Sequence, residues 1–298
     1  MRWNIVGAFI RNNPFGTEIA FRKGLERIGE TVTAVDPGYP NQQFDEAPDV
    51  TLVFKWLDPG LYRDKVMSLP GKKIIYQVDD LRFPHIKTMM QEMRQVCDHA
   101  LTFDEDGARL AKEYGYGSAK RMLLTADNIL YRHIPGTQKD IDVSFVGSLS
   151  SGPNHAGRVK MLKIVQKLGL KLVVANEIFD IGKICEIYNR SKVVLNHATD
   201  VGQPFGHGFG YQCRHFEAGF TKTCILSNVV DNDDTLKGHM ATFGNEDELV
   251  TNLRTLLNPT SINFYPEYFA TSLYNELNKN HMPEHRAREM VEFVKGIQ

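Results

Sequence analysis

The chain predicts two α/β domains, each a mainly parallel sheet doubly wound with helices on both faces. Three observations carry that expectation. Short apolar, β-branched runs alternate with longer amphipathic stretches. The alternation starts afresh after a Pro-Gly segment near residue 135. And 298 residues suffice for two compact units, expected here over 1–132 and 138–282.

In order, Trp3 to Phe9 is an apolar run suited to a buried parallel strand. Thr17 and Glu18 open a helix whose apolar face includes Ile19, Ala20, Leu25 and Ile28, with Gly29 as its stop. Thr31 to Val35, Val50 to Phe54, Lys73 to Gln77 and Ala100 to Phe103 read as further strands. Asp104 caps a helix running to Tyr114, which Gly115 ends. Then His133 to Asp140 has linker composition around Pro135 and Gly136. Val143 to Val146 is a strand, Gly147 to Asn154 a loop, Gly157 to Leu168 a helix and Lys171 to Val174 a strand. A helix over Ile181 to Arg190 and a strand over Val193 to Leu195 follow. A glycine-rich loop from Gly202 to Gly210 opens the next helix, and Cys224 to Leu226 is the strand after it. Glu246-Asp-Glu-Leu249 starts another helix with an acidic first turn that suits the dipole. Pro283 begins the last one, with Ala287, Met290, Val291 and Val294 on one apolar stripe.

Composition narrows the class only a little. Hydrophobic residues are 42% and charged residues 24%, as in ordinary globular proteins. No apolar run reaches the roughly 20 residues a membrane span requires. Met1 to Ile10 is cut short by Arg11-Asn-Asn-Pro14 and makes a poor signal peptide. Four cysteines without C-x-x-C spacing are expected to be reduced thiols in a cytoplasmic protein. The net charge is −1, so the overall balance does not mark a nucleic-acid binder, and a local basic groove stays open.

The most informative stretch is Gly210 to Ser227. Arg214 and Glu217 lie three residues apart on the predicted helix and share a face. A helix N-terminus attracts phosphate, Arg214 adds a planar fork for phosphate oxygens, and Glu217 can accept from sugar hydroxyls. That combination suits a diphosphate beside a ribose or hexose. The same spacing also fits a plain ion pair on a helix surface. The motifs of other chemistries are missing: no G-x-G-x-x-G, no G-x-x-x-x-G-K-[ST], no H-E-x-x-H and no G-x-S-x-G. His281-Met-Pro-Glu-His285 matches H-x-x-E-H, but its proline starts a helix rather than continuing one. D-x-D spacings occur at Asp104/Asp106, Asp140/Asp142 and Asp231/Asp233. The first reads as a helix cap and the second as a linker end, and the third is the serious metal-binding rival.

Taken together, Ile187 to Asn196, Arg214-His-Phe-Glu-Ala-Gly219, Cys224-Ile-Leu-Ser227 and Phe243 to Leu249 resemble the carboxyl-terminal domain of GT-B glycosyltransferases. The branch they look most like is the CgeB-like, spore-maturation type group. Asp142 to Ser148 matches the strand and loop that open that domain, and His99 to Asp106 with Tyr114-Gly115 resembles the end of the amino-terminal one. The resemblance implies two Rossmann-like domains facing across a cleft. It also implies a last helix, residues 284–298, that packs back on the first domain. The implied activity moves a sugar from a uridine- or guanosine-diphosphate donor to an acceptor hydroxyl, with no cofactor or metal.

The same resemblance implies a donor site. Gly147 and Ser148 would lie against the diphosphate, where backbone can approach closely. Arg158 and Lys160 stand where such enzymes hold a phosphate-gripping cation, and both also fit a solvated helix start. Arg214 would touch the diphosphate and Glu217 the ribose. Many retaining members carry a second glutamate eight positions earlier. Here Phe209 stands there, so His207 or loop backbone would have to take over the sugar-hydroxyl contact. Stereochemistry is open as a result. An inverting enzyme needs a base, for which Asp79, Asp80 and His85 are candidates, although Asp79-Asp80 also suits a helix cap. Asn12, Asn13 and Phe15 are placed by position on the acceptor side. The resemblance implies an acceptor among glycans, small molecules and hydroxymethylated DNA bases. A non-catalytic nucleotide-sugar-binding protein and a sugar-nucleotide epimerase are the competing readings.

Overall fold

The computed structural model of the chain describes residues 1–9, 16–55, 62–149, 156–176, 180–198, 202–258 and 265–297. Two compact units emerge, one formed by Met1–Asp127 with His281–Gln298 and the other by Asn128–Asn280. Among the described residues, no helix is long and apolar enough to cross a membrane.

The first unit runs β1 (Arg2–Val6), α1 (Thr17–Arg27), β2 (Thr31–Val35), β3 (Val50–Phe54), α2 (Arg63–Ser68), β4 (Lys72–Gln77), α3 (Pro84–Met93), β5 (His99–Thr102), α4 (Glu105–Glu113) and β6 (Ser118–Arg121). Its sheet has the order β2-β1-β3-β4-β5-β6, with every pairing parallel. Strand residues alternate between faces, so neighbours in sequence serve different cores. Val53 and Ile75 pack with Ile86, Met90 and Met93 beneath α3. Phe54 and Tyr76, one residue further on, meet Phe21 of α1 on the other face, with ring centroids 5.7 and 5.1 Å away. β1 stops at Val6 rather than Phe9, because β2 ends at Val35 and the last ladder bond is Gly7 N–H to the Val35 carbonyl, 2.9 Å. Asp104 does cap α4, its Oδ1 accepting from Gly107 N at 2.9 Å.

The last helix, α10 (Pro283–Gly296), lies in this unit and packs on α1. Its buried positions include Pro283, Ala287, Met290, Val291 and Val294. The helices approach so closely that a Cβ on Gly24 would fall 2.3 Å from the Pro283 carbonyl oxygen. Asp127, almost fully buried, receives Lys23 at 2.6 Å and Arg27 at 2.7 Å, and Arg27 also reaches Glu284 at 3.4 Å. Thr125 Oγ1 donates to the His281 carbonyl at 2.9 Å, anchoring the chain just before α10.

The second unit runs β7 (Ile141–Val146), α5 (Ala156–Gln166), β8 (Leu172–Ala175), α6 (Ile181–Arg190), β9 (Ser191–Asn196), β10 (His207–Gly208), α7 (Cys213–Phe220), β11 (Cys224–Val230), β12 (Ala241–Phe243), α8 (Glu246–Leu257) and α9 (Pro266–Asn280). The strand order is β10-β11-β9-β7-β8, with β12 also on β11, again all parallel. Val143, Phe145, Val193, Leu195 and Leu226 form one core with Leu249, Leu253 and Leu256 of α8. β9 and β7 are central neighbours, so their carboxyl ends, Asn196 and Val146, lie side by side although 50 residues separate them in sequence. In a doubly wound sheet that end is where ligands bind. Short or polar elements such as β6, β10 and β12 have little apolar periodicity, which is why the pattern alone does not mark them.

Candidate functional site

Arg214 organises the carboxyl end of the second sheet. It sits in the first turn of α7, buried, and donates from Nε to the Val146 carbonyl and from Nη1 to Asn196 Oδ1. One guanidinium thus straps the ends of β7 and β9 together. The plane packs over the Phe145 ring, 4.7 Å from its centroid. Its remaining edge, Nη2, runs past Gly147, whose φ is +149°, and a Cβ there would lie 2.1 Å from that nitrogen. Only glycine fits. Among the described residues no acceptor takes Nη2, which leaves N–H groups beside an open backbone loop.

Asn196 is held in turn. Its Nδ2 lies 3.1 Å from His215 Nε2 and donates to Ser227 Oγ at 3.1 Å, while His215 Nε2 is 3.0 Å from the same hydroxyl. Burial pushes the His215 pKa down to about 3, so the ring is neutral at ordinary pH and acts as an organiser of hydrogen bonds. The network continues through Asn228, which accepts from Ala198 N at 2.6 Å. A fully paired buried network of this kind rigidifies the strand ends.

Glu217, one turn further along α7, is half-buried. Its Oε2 accepts from Tyr188 Oη at 2.9 Å, and Tyr131 also hydrogen-bonds to the carboxylate. Desolvation raises the Glu217 pKa, against the pull of Arg214 and the two tyrosines. Burial and the Glu217 charge push both phenols well up, so they remain donors. Spacing alone did not reveal these tyrosines; they stand 86 and 29 residues earlier and reach Glu217 only through the fold.

Of the other expected donor contacts, Arg158 reaches back from α5 to the Ser148 carbonyl at 3.1 Å. Gly147, Ser148, Arg158 and Arg214 therefore form one cluster. Lys160 is exposed and engaged elsewhere, 2.6 Å from Glu246 and over the Phe205 ring at 4.7 Å. His207, on β10, pairs with Asp231 at 2.8 Å. Asp233 Oδ1 caps Thr235 N at 2.9 Å, so both carboxylates of that D-x-D spacing have partners. Among the described residues no group of three His, Cys, Asp or Glu gathers as a metal site.

In the first unit, Asp79 and Asp80 part company. Asp80 is 2% exposed, and its Oδ1 accepts from Arg82 N at 2.9 Å and Arg82 Nε at 2.6 Å. Arg82 also approaches Asp104 at 3.6 Å and Asp106 at 3.2 Å. Asp80 is thus one carboxylate of an internal ion network. Asp79 faces solvent, its side chain 48% exposed and 3.7 Å from Lys55. Neither aspartate caps α3, whose cap residue is Phe83. His85 is exposed and rests on Phe83 at 5.6 Å between centroids. Asn12, Asn13 and Phe15 lie outside the described residues.

The model of a family described as glycosyl transferase-like matches residues 137–292. No curated protein matches the chain. Among solved structures, an alpha-glucosyltransferase in complex with UDP is similar at 11% identity and a TM-score of 0.67, covering 99% of this chain and 100% of that one. An alpha-glucosyltransferase bound to UDP and a 13-mer DNA with a central A:G mismatch gives 10% identity, a TM-score of 0.67 and the same coverage. The trehalose-6-phosphate protein from E. coli bound with UDP-2-fluoro glucose gives 11% identity and a TM-score of 0.67 over the whole of both chains. At such identities the likeness is one of fold, the GT-B arrangement of two parallel-sheet α/β domains.

Proposed function

Since the chain belongs to the glycosyl transferase-like family, we propose that it moves a hexosyl or pentosyl group from a uridine- or guanosine-diphosphate sugar to an acceptor hydroxyl, without a divalent metal. The observation that carries this reading is Arg214, strapped across β7 and β9 with its Nη2 edge along Gly147. A diphosphate laid over the Gly147-Ser148 loop would meet that edge and the N-terminus of α7, with Arg158 next to Ser148. These cations stabilise the leaving nucleoside diphosphate, the task a metal performs in other transferases. Glu217, oriented by Tyr188 and Tyr131, supplies a carboxylate oxygen for the ribose hydroxyls. Lys160 and His207, paired with Glu246 and Asp231, are assigned outer positions around the donor.

On the acceptor side, the exposed Asp79 suits a base better than Asp80, whose Oδ1 is taken up by Arg82. His85 keeps the same role in reserve, and Asn12, Asn13 and Phe15 are proposed acceptor contacts. The acceptor class spans glycans, small molecules and hydroxymethylated DNA bases. The structural likeness to an enzyme bound to DNA makes modified duplex DNA the acceptor to try first. The R-H-F-E motif of residues 214–217 supports placing the chain in the CgeB-like branch, and four unpaired cysteines support a cytoplasmic location. The test is thermal: a panel of nucleotide sugars is screened for a rise in melting temperature. A cognate donor at a hundred times its Kd stabilises by about 2.7 kcal/mol. A folded protein that no nucleotide sugar stabilises, and that turns none over, would end this reading.

A further inference from the structure

His197 follows β9 directly and is 1% exposed, yet among the described residues its Nε2 has no hydrogen-bond partner. Buried polar atoms are almost always paired, so an orphan at a ligand-binding strand end points to a missing partner. The chain on either side of the ring is held in place. Asn196 on one side is pinned by Arg214, His215 and Ser227, and Ala198 on the other by Asn228 at 2.6 Å. Phe205 covers the ring, with centroids 5.8 Å apart.

The chemistry of the orphan atom selects its partner. Burial first, then Arg158 and Arg214, lower the His197 pKa to about 4, so the imidazole is neutral at pH 7 and carries one N–H and one lone pair. The ring bonds to the Ala198 backbone, which favours the protonated form. With Nε2 unpartnered, that bond uses Nδ1, and its proton goes to the carbonyl. Nε2 is then an acceptor. Phosphate oxygens at neutral pH also only accept, so a diphosphate cannot satisfy it, whereas a hydroxyl can. His207 Nδ1 faces Asp231 at 2.8 Å, and the side chain at position 209 is phenylalanine, which offers no acceptor.

We propose that His197 Nε2 accepts a hydrogen bond from a hydroxyl of the donor's transferred sugar, and so determines which sugar the site takes. The inference rests on the nucleotide-sugar reading above. His197 is a specificity residue beside the arginine-lined diphosphate position, and the acceptor it offers is a ring nitrogen instead of a carboxylate.

The experiment measures calorimetric affinities of wild type and His197→Phe, which keeps ring and bulk but loses the acceptor. The probes are UDP, UDP-glucose, UDP-galactose, GDP-mannose, and the 2-, 3-, 4- and 6-deoxy forms of whichever sugar donor binds best. In wild type, one deoxy donor is expected to bind about tenfold more weakly than its parent, as loss of one hydrogen bond implies. In His197→Phe the parent falls to the level of that deoxy donor, while affinity for UDP alone, or GDP for a guanosine donor, is unchanged. If His197→Phe does not fold, His197→Asn, which retains an amide acceptor on a shorter stem, must show a reduced ratio with the same nucleotide affinity. A parent-to-deoxy ratio that persists in the folded variant, or nucleotide affinity that falls in parallel with donor affinity, overturns the assignment. Wild type that binds none of the probes overturns the nucleotide-sugar reading and takes this inference with it.

Discussion

Glu217 and Gly147 show how single residues would set the chemistry of the proposed donor site. Desolvation holds the Glu217 pKa above its ordinary value. A raised folded-state pKa means the group favours the native state below the unfolded carboxylate pKa, and that contribution is lost as pH rises through the folded value. Glu217→Gln should therefore raise the melting temperature at pH 7, and the gain should vanish below about pH 4.5. The same variant, and more so Glu217→Ala, should weaken donor binding; for alanine the loss is about 1–3 kcal/mol by calorimetry. A folded Glu217→Ala protein with unchanged donor affinity would remove this residue from the site. Gly147→Ala places a methyl 2.1 Å from Arg214 Nη2 at a φ of +149°. It should displace the guanidinium and abolish the thermal shift by donor, whereas the same change at the open Gly136 turn, where nothing lies within 4 Å, should leave that shift intact.

At the level of elements, α1 and α10 form a tightly packed junction of the first unit. The α10 stripe Ala287, Met290, Val291 and Val294 is buried there, and such a terminal helix is ordered by packing rather than by propensity. Gly24→Ala drives a methyl into the Pro283 carbonyl, 2.3 Å away, and neither helix backbone yields easily. A destabilisation of about 1–3 kcal/mol in denaturant titration is expected, against the gain of about 0.4–1 kcal/mol that Gly→Ala brings at an open helix position. Deleting residues 284–298 would expose the α1 face and remove the Arg27–Glu284 contact. Loss of solubility or a lower melting temperature is the outcome to look for, and an unchanged melt would mean that α10 adds nothing to this unit.

Across the whole molecule, five histidines with depressed pKa values are expected to shape the acid response. The pKa values of His197 and His215 fall to about 4 and about 3, and those of His99, His133 and His285 are lowered too, in every case chiefly by burial. A depressed histidine contributes stability above its unfolded pKa of about 6.5 and loses it as pH falls toward the folded value. The melting temperature should decline between about pH 6.5 and 4.5, before ordinary carboxylates titrate, and His197→Phe should flatten that decline. Transfer activity is expected to survive EDTA if, as proposed, Arg214 and Arg158 hold the diphosphate. Complete loss in EDTA, restored by manganese, would transfer that work to a metal.

What the chain determined by itself is what near neighbours determine. The period-2 and period-3.6 patterns, the Asp104 cap, the reset after Pro135 and the Arg-x-x-Glu spacing all act within a few residues, and two parallel α/β sheets follow from them. Partners across the sheet are another matter. Arg214 meets a carbonyl 68 positions earlier, Glu217 is oriented by tyrosines from two other segments, and Asp80 is claimed by Arg82 while Asp79 is left to solvent. His197, unremarkable in sequence, acquires meaning only from a buried ring nitrogen that no described residue satisfies. The reason is physical: strand order decides which chain ends become neighbours, and burial decides which of their polar groups must find a partner. Neither quantity is written in linear spacing.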